Sequence, residues 1–416
     1  MKKYSALFIA VIAMMCIILL PSCARNDTPG GEDTTDTAAP NYILDPKFGT
    51  DEFLPAYDMS YRTDMIRSIN MVETDDLIYL TEPVNYGQTV SYYDKKTGVL
   101  DRLCFKPECT HGDDCDSFFP GLRVVSLNYY DGSLWWIGQE LDSKPYYLWR
   151  ADPDGGNRTK RSEVHIDSII VDYNINMVDI HRDYVYLYGF KMVANGAEIS
   201  KRLTVWCVPL SGGVPEKIFD AEGNDLSDWY VKYDANKLCL AFNTNDGSEY
   251  AMIDLKTHRS ETLFKASEAY TSGITVKNGK VHFTISGGDT GAGKICAFEN
   301  GEVKELFKTE DKGVKYSRPF IFGDLVVVAQ QNRKAGVRNA YISDLSGNIV
   351  YSGAVDASMV PSFEVSDGWP GLALVGTRGD NFYLSYIMFD KDSSYYLIKY
   401  DTKNNMKPEL IGKLKD

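Results

Sequence analysis

The 416-residue chain is poor in histidine and short of positive charge, and it has none of the loops that hold nucleotides. Its five histidines are His111, His165, His181, His258 and His282. Four of these are scattered over separate regions, too thin a supply for a histidine-rich catalytic centre, because such a centre needs convergent partners. The 44 Lys and Arg face 58 Asp and Glu. That balance argues against nucleic acid as a partner and against docking of the body on anionic lipid, since both need basic patches. No complete phosphate-cradling loop, with glycines followed by Lys and then Ser or Thr, is present, and no dinucleotide fingerprint opens a helix. No Gly-x-Ser-x-Gly elbow occurs. Helical periodicity never persists beyond a turn or two after the N-terminus.

Aromatic residues and glycine are abundant, with 28 Tyr, 18 Phe, 6 Trp and 34 Gly. This composition points to strands and turns. The length exceeds what one ordinary core holds, so the chain has several domains or one architecture made by repetition.

The N-terminus has a different character. Lys2 and Lys3 precede an unbroken apolar run from Ala6 to Leu20. That run is shorter than the roughly 20 residues a spanning helix needs, and the order has the form of a signal peptide. Leu20-Pro21-Ser22-Cys23 follows. It resembles the lipobox of bacterial lipoproteins, with Pro21 replacing the small residue common at its place. The resemblance implies cleavage before Cys23 and a lipid on its sulfur. Residues 1–22 are then the signal peptide. Residues 23–416 keep 42 basic and 58 acidic side chains, a net charge of −16. Residues 24–40 are polar and rich in Gly, Pro and Thr, so 23–40 reads as a flexible tether. A coil of that length reaches on the order of 20–25 Å. The expected location is the outer face of a cell membrane, with the lipid as the membrane contact.

Residues 41–416 carry a repeat. Its first half is a polar turn followed by an apolar or aromatic strand, as in Asp75-Asp76-Leu77-Ile78-Tyr79-Leu80 and Asp131-Gly132-Ser133-Leu134-Trp135-Trp136-Ile137. It returns at Arg182, Asn236, Asn278, Asp324 and Asp380. Each copy is followed by a second strand, such as Tyr147-Leu148-Trp149-Arg150 before Asp154-Gly155-Gly156 or Val205-Trp206-Cys207-Val208 before Gly212-Gly213. The seven copies lie 42 to 56 residues apart. Short strands at such a period fit four-stranded blades, which bury both faces of each small sheet by stacking radially. The predicted fold is therefore all-β, a β-propeller of seven blades. Six or eight blades, or a two-domain β protein, also fit the pattern. The phrase of aromatic strand, Asp, turn and Gly resembles the blades of TolB-like bacterial propellers. Segment 41–67 either supplies a strand that closes the ring or lies along one face.

One local cluster stands out: Cys104-Phe105-Lys106-Pro107-Glu108-Cys109-Thr110-His111-Gly112-Asp113-Asp114-Cys115. Cys104, Cys109, His111 and Cys115 are the ligand types of a closed tetrahedral zinc site. Pro107 and Gly112 let the chain fold round an ion, and a structural site contributes to local folding. The spacing matches no standard zinc-finger pattern, so pairing of two of the three thiols or three free thiols are also open. A catalytic thiol is disfavoured, because Glu108, Asp113 and Asp114 raise rather than lower a thiol pKa. The cluster resembles one found in uncharacterised propeller lipoproteins of anaerobic Gram-positive bacteria, which implies architecture and location only.

The remaining features read as structure. Cys207, Cys239 and Cys296 sit in apolar strands as small buried hydrophobes. Trp135 and Trp136 point to opposite faces of one strand, so core packing outweighs a glycan platform. Arg378-Gly379-Asp380 is ordinary turn chemistry. No catalytic residue is assigned. The expected function is a surface-anchored binding or scaffold propeller for an extracellular protein, peptide or glycan. The alternatives are a polysaccharide hydrolase or lyase with its site in the central channel, and an envelope-assembly factor.

Overall fold

In the computed structural model, residues 48–414 are described apart from connecting stretches, the longest of which are 59–69, 121–126, 287–293, 309–314, 332–337, 355–370 and 388–394. The lipobox, the signal peptide and the tether lie outside the described residues. The part from Ile43 to Asp416 forms one compact unit.

Seven antiparallel sheets follow one another along the chain. Blade 1 is residues 70–120, blade 2 is 128–164, blade 3 is 174–223 and blade 4 is 229–267. Blade 5 is 270–308, blade 6 is 315–354 and blade 7 is 371–414. Five sheets have four strands in sequence order, while blades 1 and 6 each have five strands. This is a seven-bladed β-propeller, as the repeat predicts. Each first half of the repeat forms a blade's second strand, such as Ser133–Gly138 or Tyr184–Asn195. Each second half forms the third, such as Tyr146–Ala151 or Glu198–Pro209. Strands such as Ser133–Gly138 and Lys237–Thr244 are buried almost throughout, so they carry the strongest apolar signal.

The alternation of side chains explains the stacking. Trp136 packs with Tyr79, Val90 and Phe119 of blade 1. Its neighbour Trp135 packs the other way, with Ile175, Val178 and Val185 of blade 3. Burying one such aromatic contributes at most roughly 4–6 kcal/mol of apolar transfer. Both tryptophans are core residues, in line with their opposed strand positions. Blades 3 and 4 meet through Tyr186, Tyr188, Leu203, Leu238, Leu240 and Phe242. Blades 4 and 5 meet through Tyr250, Met252, Ile274 and Phe283.

Blade 7 meets blade 1 through Leu397 and Ile411 against Ile78 and Leu80. Gly412 lies so close to Leu100 of blade 1 that a Cβ would overlap its side chain. All strands of blade 7 come from 371–414 and all strands of blade 1 from 70–120. Among the described residues, side-chain packing rather than an exchanged strand closes the ring.

The described part of segment 41–67 lies against hairpin turns of blades 3 and 4. Arg182 is the anchor. Its guanidinium donates to the carbonyls of Phe48 (2.9 Å), Thr50 (2.6 Å) and Glu52 (2.6 Å), to Asn236 Oδ1 (2.7 Å) and to both oxygens of Asp58. Arg182 and Asp58 are both buried. Arg182 and Asp183 hold φ values of 47° and 64°, a left-handed pair that non-glycine residues seldom adopt. The bonds made by the arginine over-determine that turn. Beside it, His181 stacks on Tyr233 and bonds the Ala235 carbonyl at 2.7 Å. Burial lowers the pKa of His181 to about 4, so it is neutral at physiological pH.

Candidate metal centre

The cysteine cluster occupies an interruption in the outer edge of blade 1. The third strand of the blade, Gly87–Asp94, pairs with Leu100–Arg102 at one end and with Phe118–Pro120 at the other. Residues 104–116 loop out between these two short strands. Val90 fastens the base of the loop. Its carbonyl accepts from Leu103 N–H (2.9 Å) and its N–H donates to the Ser117 carbonyl (2.8 Å).

The four predicted ligands converge. One ligand atom from each of Cys104, Cys109, His111 and Cys115 lies within 4.8 Å of all the others. His111 Nδ1 is 3.2 Å from Cys115 Sγ. Bonds of about 2.3 Å to sulfur and 2.0–2.1 Å to nitrogen give a tetrahedron with edges of roughly 3.5–3.8 Å, so small shifts would close the set round one ion. These four residues can hold a metal ion. The six described cysteines form no disulfide with one another in this structure.

The backbone favours sulfur in its charged form. The N–H of His111 donates to Cys109 Sγ at 3.3 Å, and that of Ser117 to Cys115 Sγ at 3.3 Å. The N–H groups of Lys106 and Asp116 donate to Cys104. Each cysteine thus receives an amide from the residue two places on. Such bonds favour a thiolate over a thiol. At Cys104 burial acts to raise the pKa, but the amides of Lys106 and Asp116, with the two neighbouring thiols, outweigh it and the net shift is downward. At Cys109 the His111 amide lowers the pKa, while burial and the sulfurs of Cys104 and Cys115 raise it, and the net shift is upward. Left-handed φ values at Glu108 (62°) and His111 (56°) turn the chain inward between the ligands.

Surrounding groups position this loop. Arg158, at the outer strand of blade 2, donates to the Phe118 carbonyl at 2.9 Å and to the Asp116 carbonyl. Its guanidinium stacks over the Phe119 ring, 4.1 Å from the centroid. Three thiolates round a divalent ion leave one surplus negative charge, and Arg158 is the nearby cation that offsets it. Lys106 and Asp116 pair across the loop at 3.2 Å. His111 Nε2 faces Asp101 Oδ1 at 4.0 Å, the side on which a carboxylate orients a ligating imidazole. Phe105, Pro107 and 112–114 lie outside the described residues, so the turn roles expected of Pro107 and Gly112 do so as well.

The other predicted positions divide. Cys239 and Cys296 are buried thiols whose pKa burial raises to about 12 and about 11. Cys207 is also buried, but it has polar company. His258 and Glu216 approach it, and the three form a second group with ligand atoms within 4.8 Å of one another. Sequence reading placed Cys207 and His258 among isolated residues, and no local spacing joins them. Cys23, and Gly379 and Asp380 of the Arg378-Gly379-Asp380 tripeptide, fall outside the described residues.

Comparison with known proteins supports the architecture. No protein-family model matches the chain, and no curated protein matches it. Among solved structures it is similar to a puromycin hydrolase, with 12% identity over 88% of this chain and 56% of that one and a TM-score of 0.53. It is similar to a prolyl endopeptidase, with 12% identity over 86% of this chain and 50% of that one and a TM-score of 0.51. It is also similar to the acylaminoacyl peptidase of Pyrococcus horikoshii, with 13% identity over 86% and 54% and a TM-score of 0.51. The chain spans about half the length of these structures. They correct the functional expectation. The solved chains that share this propeller are peptidases and a hydrolase, so the reading as a non-enzymatic binding or scaffold module is withdrawn, and with it the polysaccharide and envelope-assembly alternatives. Composition and motifs could not reveal this, because a propeller's strand pattern is the same whatever unit it serves.

Proposed function

We propose that the chain is the propeller domain of a peptidase, serving peptide hydrolysis on the outer face of a cell membrane, with a lipid on Cys23 as its anchor. The observation that carries this reading is the match of 86–88% of the chain to prolyl endopeptidase, puromycin hydrolase and acylaminoacyl peptidase structures. Those chains are about twice as long as the part that this one covers. His181 bonds a backbone carbonyl and His165 lies beside Glu163 at 3.2 Å. In this reading the hydrolytic groups belong to a catalytic unit that acts with the ring. The peptide class follows from the neighbours; the sequence specificity of cleavage does not.

The Cys104–Cys115 loop holds a structural zinc ion in this reading. The four amide-to-sulfur bonds and the Arg158 counter-charge support a closed S₃N site rather than a reactive thiol. Four protein ligands leave no open position, so the metal would fix the split outer edge of blade 1 and supply no chemistry.

The test is to purify the full-length protein from its own membrane with associated proteins retained. Puromycin, N-acylated peptides and proline-containing oligopeptides are then supplied, and products are read by mass spectrometry. Peptide-bond cleavage that co-elutes with the chain is expected. Absence of cleavage in every fraction containing the chain overturns the peptidase reading.

A further inference from the structure

Blades 3 and 4 bring together a second set of metal-ligand side chains. Cys207 lies on the strand Glu198–Pro209 and Glu216 on the outer strand Glu216–Gly223, directly paired across the sheet. Paired residues share a face, and this face packs on blade 4. From blade 4, His258 projects out of the turn between Gly247–Asp254 and Arg259–Ser267, with a left-handed φ of 54°. Cys207 Sγ is 3.8 Å from His258 Nε2 and 3.9 Å from Nδ1. His258 Nδ1 is 3.7 Å from Glu216 Oε2. These separations are close to the roughly 3.3–3.6 Å edges of a tetrahedral S, N, O site.

The polar groups of the pocket are loosely matched. Among the described residues the buried Glu216 Oε2 has no donor at normal hydrogen-bond distance, and His258 Nδ1 faces it at 3.7 Å. A buried carboxylate oxygen held only at that distance is costly. The Cys207 and His258 side chains are buried, at 0% and 7% exposure, whereas Glu216 is 28% exposed. The site is therefore closed toward the blade interface and open on the side of Glu216.

We propose that Cys207, Glu216 and His258 bind a divalent cation of the zinc class, with water at the fourth position, and that the ion links blade 3 to blade 4. Thiolate, imidazole and carboxylate are the zinc donor set, and three protein ligands with one open position differ from the closed first cluster. On binding, the Cys207 S–H bond breaks, its proton leaves to solvent, and the sulfur lone pair forms the bond to the metal. No oxidant or reductant is involved. The site is independent of the Cys104–Cys115 loop and of the peptidase reading.

The test uses the full chain, stripped with a chelator and titrated with zinc chloride, then with cobalt chloride for the sulfur-to-metal absorption band. With both clusters loaded, two ions per chain are expected. His258→Ala and Glu216→Gln each weaken one of the two by roughly tenfold or more, and leave the ion bound through Cys109 and Cys115. Cys109→Ser does the reverse. Glu216→Gln is nearly isosteric at a side chain 28% exposed, so it keeps the fold, which an unchanged thermal midpoint of the metal-free protein verifies. If a folded Glu216→Gln chain and His258→Ala both keep every zinc ion of the wild type at unchanged affinity, the proposal is overturned. Loss of zinc from Cys109→Ser alone also counts against this site and not against the first.

Discussion

Replacing Asp58 by Asn tests the idea that one buried ion pair fastens the N-terminal segment to the ring. The substitution keeps size and shape but removes the one carboxylate that, among the described residues, contacts Arg182. Both side chains are 2% exposed, so solvent cannot compensate the remaining guanidinium. Breaking a buried pair by removing one partner costs about 3–5 kcal/mol. The carbonyls of Phe48, Thr50 and Glu52 and the Asn236 amide still accept from the arginine, which places the cost near the lower bound. About 3 kcal/mol is a factor of roughly 100 in the opening equilibrium. Native-state hydrogen exchange reads it as a loss of protection of that order in residues 48–58, with a smaller effect at the hairpin turns of blades 3 and 4 that hold Arg182 and Asn236. Local opening is the right observable, because a ring of this size need not unfold in two states. The double variant Asp58→Asn with Arg182→Met removes the stranded charge, and it should recover at least about 1 kcal/mol relative to additivity. Exchange within about 0.5 kcal/mol of wild type for Asp58→Asn, or strict additivity in the double variant, would refute the argument.

The other predictions concern metal, acid, ring closure and anchor. Zinc removal by a chelator should expose residues 104–116 to proteolysis while blade 2 stays resistant, and Arg158→Gln should weaken zinc retention at that loop by roughly tenfold through loss of its counter-charge; intact resistance of the loop after full metal removal would contradict the structural role. His181 has a folded pKa of about 4, below the unfolded value of about 6.5, so its contribution is present above pH 6.5 and lost as pH falls toward 4. At up to about 3 kcal/mol, that loss should lower the thermal midpoint of wild type between pH 6.5 and 4.5 more than that of His181→Gln, and parallel curves would refute it. Gly412→Leu should open the contact of blade 7 with blade 1, seen as increased exchange at Ile78 and Leu80, because the added side chain meets Leu100. Cys23→Ser should move the protein from the membrane to the soluble fraction, and membrane retention with continued lipid labelling would refute lipidation there.

The blade pattern was legible because it is local. A turn residue at φ > 0 and the alternation of a strand are set within ten residues, as at Asp131-Gly132 before Trp135 and Trp136. The metal cluster was legible for the same reason, since its four ligands lie within twelve residues. Its amide-to-sulfur bonds were not, because they depend on the backbone turns at Glu108 and His111. Arg182 looked like one more turn residue, and its interior role depends on Asp58, 124 positions away.

By itself the sequence determined the strand periodicity, the count of seven repeats and the grouping of Cys104, Cys109, His111 and Cys115, all of which rest on short-range spacing. Only the tertiary structure decided which surfaces meet when blades stack. Radial stacking sets His258 against Cys207 across 51 residues, and Leu397 against Ile78 across most of the chain. Those pairings follow from ring geometry and the twist of each sheet, which no local window of residues encodes.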